Sequence, residues 1–207
     1  MKFNINFVDG AFCEILSNVD NKYYVQFIDK DTDKVMYDDV IKSNMWCKSS
    51  YTYFINYKIK IIDFKSKLTI EEIDYNANDK RVYIWFDSKS LGDNLGWIPY
   101  VEEFRKKHNC KLVASTFMND FFSNEYPNIE FIKPGSYTVF DIKYDIGWFA
   151  NEHGEWNRFD MYPNPLNSQE LQKTATDILG LDFKELNYGI NFSPKQRPYK
   201  QKYVVFA

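Results

Sequence analysis

The feature that most constrains the fold is an alternation of strand-like and helix-like segments that begins at residue 81. Arg81–Phe86 (RVYIWF) is a compact apolar run of the kind found in buried strands. After a polar loop, apolar residues recur at helical spacing with charged residues between them, at Leu95, Ile98, Val101 and Phe104. A second apolar run, residues 111–115, follows. Strand, loop, helix and strand in this order predict a βαβ unit of a parallel sheet.

The alternation continues to about residue 180. Residues 117–124 favour a weak helix, residues 129–132 a short strand before the turn at Pro134 and Gly135, residues 144–149 another strand, and residues 151–165 a loop. Residues 168–179 predict the second clear helix, with Ser168 as N-cap, an apolar face, and Gly180 as the stop. These elements predict a Rossmann-like α/β domain over residues 80–200.

Residues 194–198 predict a linker, and the apolar residues 203–207 predict a strand. Such a strand can complete the same sheet or begin another domain. The prolines before it favour the second interpretation, so we expect residues 201–207 to be the first strand of a missing C-terminal domain.

Residues 1–75 have a different character. Phe3, Ile5 and Phe7 alternate with polar residues, as in a strand. Residues 22–28 and 34–41 predict a hairpin, whose turn is the acidic DKDTD at 29–33. This turn lacks the glycine and glutamate that an EF-hand requires, so we interpret it as a solvated hairpin tip. Residues 45–48, 51–57 and 58–62 predict further strands. The fold class is therefore α/β, with a small antiparallel β domain at 1–75, a linker at 68–80 and the Rossmann-like domain.

Composition excludes several classes of function. The net charge of −3 and the absence of a basic stripe argue against nucleic-acid binding. No segment has the roughly 18 apolar residues of a membrane span, and the N-terminus does not resemble a signal peptide. The three cysteines, Cys13, Cys47 and Cys110, are far apart and odd in number. They predict no disulfide framework and a cytoplasmic location. The two histidines, His108 and His153, are too few for a complete zinc site.

The segment that carries chemistry is DSKSLGDNLGW, residues 87–97, between the first strand of the α/β domain and its helix. In open α/β sheets, ligands bind at this edge. Gly92 permits close backbone approach, and Asp93 lies near the helix start, where its carboxylate can act as a general base toward a hydroxyl. Asp93 can equally be the N-cap of the helix. The segment matches neither the dinucleotide-binding nor the P-loop pattern.

Other residues are weaker candidates. Ser88, Lys89, Ser90, Leu91, Gly92 and Asn94 surround Asp93 and are predicted to touch acceptor or donor, although each also fits a structural loop. Trp97 can stack on a sugar, but its spacing favours core packing. The remaining candidates lie at the sheet edge or in a turn-rich loop: Ser115, Thr116, Asn119, His153 and Trp156.

The segment SLGDNLGWIPYVEEFRKKHNCKL resembles the corresponding segment of the autotransporter O-heptosyltransferases, a GT-B family related to the lipopolysaccharide heptosyltransferases. IWFDSKSLGD, YPNIEFIKPG, YDIGWF and LQKTATDILGLDFKEL are also similar, in consistent order. The resemblance covers residues 80–207, and the β-rich N-terminal part fits the small β domain of this family. It implies a two-domain GT-B fold of which this chain is the N-terminal half.

The resemblance also implies a function. Family members transfer heptose from ADP-heptose to Ser or Thr hydroxyls of autotransporter adhesins, and the Asp of their GD motif, here Asp93, is the proposed base. They continue for about as many residues again, bind iron through cysteines in that C-terminal part, and assemble into rings. We therefore expect a sugar-nucleotide donor, an autotransporter acceptor, a possible homo-oligomer and no metal in this chain. Without the donor-binding half we expect no turnover. The alternatives are a non-catalytic protein-binding module, a truncated gene product, and an unrelated small-molecule binder.

Overall fold

The computed structural model describes residues 1–155, 158–166 and 169–190. The helices are α1 (Leu91–His108), α2 (Asn119–Phe122) and α3 (Leu171–Leu179). The strands are β1 (Lys2–Val8), β2 (Phe12–Leu16), β3 (Lys22–Asp29), β4 (Lys34–Lys42), β5 (Met45–Lys48), β6 (Tyr57–Asp63), β7 (Thr69–Asp74), β8 (Arg81–Phe86), β9 (Lys111–Ser115), β10 (Ile129–Ile132) and β11 (Ile142–Ile146). The predicted linker at 194–198 and strand at 203–207 lie outside the described residues, as do Trp156 and Ser168. The prediction of Ser168 as N-cap is wrong, because α3 begins at Leu171 with Glu170 as its N-cap.

The larger sheet has the order β10-β9-β8-β11-β1-β2-β5. The first five of these strands are parallel, and β2 and β5 extend the sheet in antiparallel fashion. The predicted βαβ unit is confirmed, since β8 and β9 pair in parallel and α1 connects them. The sheets do not divide at residue 75, because β1, β2 and β5 come from the N-terminal part of the chain and belong to the larger sheet.

The smaller sheet is antiparallel, in the order β4-β3-β6-β7. The β3–β4 hairpin is confirmed, with Lys22 opposite Lys42 and Asp29 opposite Lys34. The predicted linker at 68–80 instead contains β7, an edge strand that pairs with β6. The carboxylate of Glu72 on β7 lies 3.3 Å from Lys60 Nζ and 3.5 Å from Lys58 Nζ on β6. These cross-strand ion pairs let an acidic segment form a strand at the edge of the sheet.

Two predicted strands have different bounds. Residues 51–56 are irregular, because their backbone bonds to distant segments instead of to a neighbouring strand: Thr52 N–H donates to Asp160 O and Phe54 N–H to Ile178 O, both at 2.8 Å. The predicted strand at 144–149 is β11, which begins and ends earlier, at Ile142 and Ile146. Gly147 follows, and a Cβ added there would lie 2.5 Å from Cβ of Asp87.

One continuous core joins the larger sheet and its helices with the buried face of the smaller sheet. On β8, Val82, Ile84 and Phe86 are buried and alternate with partly exposed residues, as expected for a strand with one face on the core. Trp97, Ile98, Val101 and Phe104 of α1 are fully buried. The C-cap residues, Asn109 of α1 and Gly180 of α3, are both in the left-handed conformation. Gly180 is also close to Phe54, since a Cβ added there would lie 2.0 Å from the ring.

Two of the cysteines that are far apart in sequence are neighbours in the fold. Cys13 on β2 and Cys47 on β5 are directly opposite each other in the antiparallel register. Both are buried and free, as is Cys110. Burial raises the pKa of Cys13 and of Cys47 to about 12, so both remain thiols at neutral pH.

His108, the last residue of α1, makes stability depend on pH. Its ring packs on Phe104, Phe54 and Tyr75, with centroids 4.3, 5.3 and 5.9 Å away. Burial, and then the charge of Lys107, lower its pKa from 6.5 to about 4. The unfolded chain therefore takes up a proton between pH 6.5 and 4 that the folded chain does not. Stability is fully present above pH 6.5 and is lost as pH falls toward 4.

We expect His108→Phe to reduce the dependence of the unfolding free energy on pH. Between pH 7.5 and 5, the native protein should lose about 1 kcal/mol more unfolding free energy than the variant, after a discount for partial solvent access. Urea unfolding at both pH values measures the difference. The control is His153→Phe, because His153 is exposed. Equal losses in the native protein and in the His108 variant would contradict the prediction.

Candidate active site

Asp93 lies in the first turn of α1, three residues after the N-cap. The N-cap is Ser90, whose side chain makes no capping hydrogen bond. The alternative interpretation of Asp93 as N-cap is therefore wrong. The carboxylate is still near the positive end of the helix dipole.

Two side chains hold the Asp93 carboxylate, and both bind the same oxygen. The Ser88 hydroxyl donates to Oδ2 at 2.5 Å, and the Trp148 indole N–H donates to Oδ2 at 3.1 Å. The other oxygen, Oδ1, has no hydrogen-bond partner among the described residues. Asp93 is only partly buried. The arrangement fixes the carboxylate by one oxygen and leaves the other able to accept a proton from an approaching hydroxyl.

Trp148 is itself fixed by the loop that follows β11. The Tyr162 hydroxyl donates to the carbonyl of Gly147 at 2.7 Å and accepts from the N–H of Phe149 at 2.6 Å. The indole of Trp148 packs against Trp97, with ring centroids 5.9 Å apart. The hydrogen bonds from Tyr162 to the residues on both sides of Trp148, and the buried ring of Trp97, therefore fix the direction of the Trp148 indole N–H.

The loop residues before Asp93 divide into exposed and structural ones. Ser90 and Leu91 are exposed, and Gly92 has open space, since a Cβ there would meet only Ser90 Oγ, at 3.8 Å. Asn94 is fully buried, and its amide donates to the carbonyls of Ser88 at 2.8 Å and Ser90 at 2.7 Å. Asn94 thus shapes the loop, while Ser90, Leu91 and Gly92 can meet a ligand directly.

The other sequence candidates are not brought to Asp93. Lys89 is exposed and lies over the Phe117 ring at 5.3 Å. Asn119 ties its turn together, accepting from the backbone N–H of Thr116 and donating to the carbonyl of Ile132. His153 is exposed, and its Nε2 lies 3.7 Å from Glu152 Oε1. The structure also buries Ser115 and Trp97, and Trp97 is a core residue, as its spacing predicted.

A charged group that the sequence did not reveal lies where the end of β1 pairs with the start of β11. Lys143 Nζ is 2.8 Å from Asp9, which follows β1, and 3.0 Å from Asp145. Burial raises the pKa of Asp145, and Lys143 partly offsets this. Burial alone lowers the pKa of Lys143, but the two carboxylates raise it above its usual value. The parallel pairing of β1 with β11 creates this cluster, and no local motif indicates it.

No family model matches the chain. Curated relatives are similar over nearly all of it. The autotransporter heptosyltransferase TibC of Escherichia coli O78:H11 is 26% identical over 91% of this chain and 46% of its own length. The autotransporter heptosyltransferase BAHTCr of Citrobacter rodentium is 28% identical over 84% of this chain and 42% of its own. BimC of Burkholderia thailandensis, an inactive autotransporter heptosyltransferase, is 27% identical over the full chain and 47% of its own length.

The solved structures agree with these relatives. The iron-containing dodecameric glycosyltransferase TibC superposes with a TM-score of 0.79 at 25% identity, over 95% of this chain and 50% of that one. TibC in complex with ADP-D-β-D-heptose gives a TM-score of 0.81 at 23% identity and supports the fold. This chain is a homologue of the autotransporter heptosyltransferases. It spans less than half the length of the curated heptosyltransferases it matches.

The described residues of this heptosyltransferase homologue do not fit an iron site. Within the described ranges, no three His, Cys, Asp or Glu side chains lie close enough together to hold a metal. Cys13 and Cys47 are adjacent, but both are buried and protonated. None of the helices in these ranges combines the length and apolarity that crossing a membrane requires.

Proposed function

We propose that this chain is the acceptor-side part of a glycosyltransferase that transfers heptose from ADP-heptose to Ser or Thr hydroxyls of an autotransporter protein. The observation that carries the proposal is the Asp93 carboxylate, which Ser88 and Trp148 hold through Oδ2, while Oδ1 has no partner within the described ranges. The homology to heptosyltransferases supplies the reaction class.

In the proposed reaction, Asp93 Oδ1 takes the proton of the acceptor hydroxyl. The hydroxyl oxygen bonds to the anomeric carbon as the bond from that carbon to the diphosphate breaks, and ADP leaves with the electron pair. A hydroxyl is a weak nucleophile, so a positioned base lowers the barrier. Ser90, Leu91 and Gly92 contact the substrates, and Asn94 holds their loop. The donor's nucleotide binds to a part of the enzyme beyond this chain.

A second candidate function is binding of the autotransporter without catalysis. It is favoured by the relative BimC, which is an inactive heptosyltransferase and matches the full chain. In that case Asp93 would have only a structural role, and the native protein and Asp93→Asn would both bind the autotransporter without transferring heptose.

The test compares the 207-residue chain with the protein expressed at the full length its gene encodes. Each is incubated with ADP-heptose and an autotransporter fragment, and the acceptor is weighed by intact-mass spectrometry. We expect added heptose with the full-length protein and none with the chain alone. Binding of the acceptor by the full-length protein, without any increase in mass, would favour the second candidate.

We further propose a cytoplasmic location and a homo-oligomer. The buried free thiols support the first, because all three cysteines are reduced in the fold. The dodecameric assembly of TibC supports the second. Fractionation of the native cells and light scattering of the purified protein test the two proposals.

Trp148→Phe tests whether the indole N–H positions Asp93. The variant keeps an aromatic ring against Trp97 and removes the hydrogen bond to Asp93 Oδ2. We expect kcat to fall about tenfold, the equivalent of one lost hydrogen bond to a charged group, with KM almost unchanged. Steady-state kinetics of the full-length enzyme measure the two constants, and Trp46→Phe is the control because Trp46 is 60% exposed. An equal fall in kcat for both variants would contradict a positioning role.

A further inference from the structure

A cleft lies at the far end of α1 from Asp93. It has a volume of about 830 Å³, within the range of small-molecule sites, and none of its lining residues belongs to the loop at 87–94. Its walls come from the β3–β4 turn, the irregular segment 53–56, residues 75–78 after β7, and the C-terminal ends of α1 and α3. Fifteen residues of helix separate Asp93 from His108, so the two sites are about 22 Å apart.

One wall of the cleft is aromatic and rigid. Tyr53 and Phe54 are partly buried and Tyr75 is almost fully buried, and all three line it. Phe54 is fixed by edge contact with Tyr75 at 5.2 Å and by the close approach of Gly180. A rigid apolar wall of this kind can contact the C–H groups of a ligand at small entropic cost.

The rest of the lining combines unused donors with unused acceptors. Among the described residues, Asn56 Oδ1 and Asn109 Oδ1 have no hydrogen-bond partner, since each side chain bonds only through Nδ2, to Asp31 and Asn78. Asn76 is the opposite case, with Oδ1 engaged by the N–H of Asn78 and Nδ2 without a partner in the described part. The ammonium group of Lys107 donates one hydrogen bond to the carbonyl of Gly180 at 2.7 Å, and its other N–H groups can donate to a ligand.

The charge of the cleft excludes phosphate ligands. Asp29, Asp31 and Asp177 line it against the single ammonium of Lys107, and Asp177 is paired with Lys173 at 3.1 Å. The C-terminal ends of α1 and α3 add partial negative charge. A diphosphate would be repelled here, so the cleft is not suited to the nucleotide donor.

We propose that this cleft binds a neutral carbohydrate of one to three sugar units. Hydroxyl groups both donate and accept, which matches the mixed amide groups of Asn56, Asn76 and Asn109. The C–H groups of sugar rings match the apolar wall formed by Tyr53, Phe54 and Tyr75. A cation would use only the acceptors and an anion only the donors.

The choice of sugar rests on the proposed function. If the enzyme attaches heptose to an acceptor protein, a cleft about 22 Å from Asp93 can hold a sugar already attached while the next hydroxyl reaches the base. An extended chain of about seven residues spans that distance. The cleft would then keep a partly glycosylated acceptor on the enzyme.

The experiment titrates the isotope-labelled 207-residue chain with the methyl glycoside of heptose and follows backbone amide shifts by NMR. We expect shifts confined to residues that line the cleft, with a Kd in the low millimolar range, on the order of 1–10 mM. The double variant Asn56→Ala, Asn109→Gly should weaken binding at least about tenfold, the loss of roughly two hydrogen bonds. Glycine at 109 preserves the left-handed backbone, where φ is 49°.

The matched control is Asn18→Ala, an exposed asparagine away from the cleft. Dispersed amide spectra of both variants show that they are folded. The proposal is overturned if no shifts appear up to about 50 mM glycoside, or if an unglycosylated acceptor peptide shifts the same residues and the glycoside does not. Because the readout is direct binding, either result leaves the heptosyltransferase proposal to be decided separately by transfer.

Discussion

Replacing Asp93 with Asn should reduce heptose transfer by the full-length enzyme about 10²- to 10⁴-fold, the usual contribution of a general base. Asparagine has nearly the same shape, and its Oδ1 can still accept from Ser88 and Trp148, so the geometry around residue 93 is preserved. What is lost is an oxygen that can take a proton. The effect should therefore lie in kcat, with little change in the affinity for the acceptor or in the melting temperature.

The measurement is the rate of mass increase of the acceptor, with Asp120→Asn as control. Asp120 is also an acidic residue in the first turn of a helix, α2, and it is exposed. This variant should transfer heptose at the native rate. Full activity of the Asp93 variant would refute the role of base, and a large drop in melting temperature would indicate that Asp93 is structural.

The elements that the sequence predicted are those whose signals are local. The β3–β4 hairpin has two apolar runs around an acidic turn, and α1 has an apolar stripe between two apolar strands. Strand β7 was missed because Glu71, Glu72 and Asp74 disfavour strands in isolation. Its acidic side is tolerated because β7 lies at an edge and Glu72 pairs with Lys58 and Lys60. Such compensation depends on a neighbour that the local pattern does not contain.

The assignment of β1 shows the same limit at the level of the sheet. Its alternation of Phe3, Ile5 and Phe7 predicts a strand but not a partner. The structure pairs Phe7 in parallel with Ile142, 135 positions later, so that a strand expected in the small β domain extends the parallel sheet. Closing a loop of that length costs entropy, which packing across the whole core must offset. The alternation within β1 therefore does not encode which strand it pairs with.

The candidate site was predictable in part. Asp93, its loop and its place at the edge of the sheet follow from the motif and from the βαβ order. Trp148, 55 residues later, donates to Asp93 only because β11 lies next to β8 and Tyr162 clamps the following loop. Asn94 was predicted to contact a ligand, but its amide N–H groups donate to two backbone carbonyls of the loop. Asn94 therefore lies beneath the loop.

Trp97 connects the stability of the fold with the geometry of this site. It is fully buried, contacts Phe86 edge to face at 5.7 Å and supports Trp148 at 5.9 Å. Its indole N–H donates to the carbonyl of Leu171 at 3.0 Å, which ties the start of α3 to α1. Removing the side chain would leave a cavity between helix and sheet, an unpaired carbonyl on Leu171, and no support under Trp148.

Trp97→Ala should therefore lower the free energy of unfolding by about 3–5 kcal/mol, which corresponds to roughly 10 °C in melting temperature for a chain of this size. Urea unfolding followed by circular dichroism measures it. Trp46→Ala is the control, since Trp46 is 60% exposed and stacks on Phe12, and it should cost about 1 kcal/mol or less. Trp97→Phe separates the two roles, because it restores most of the packing without the hydrogen bond to Leu171. If Trp97→Ala and Trp46→Ala cost the same, Trp97 is not the residue that joins α1, α3 and the Asp93 site.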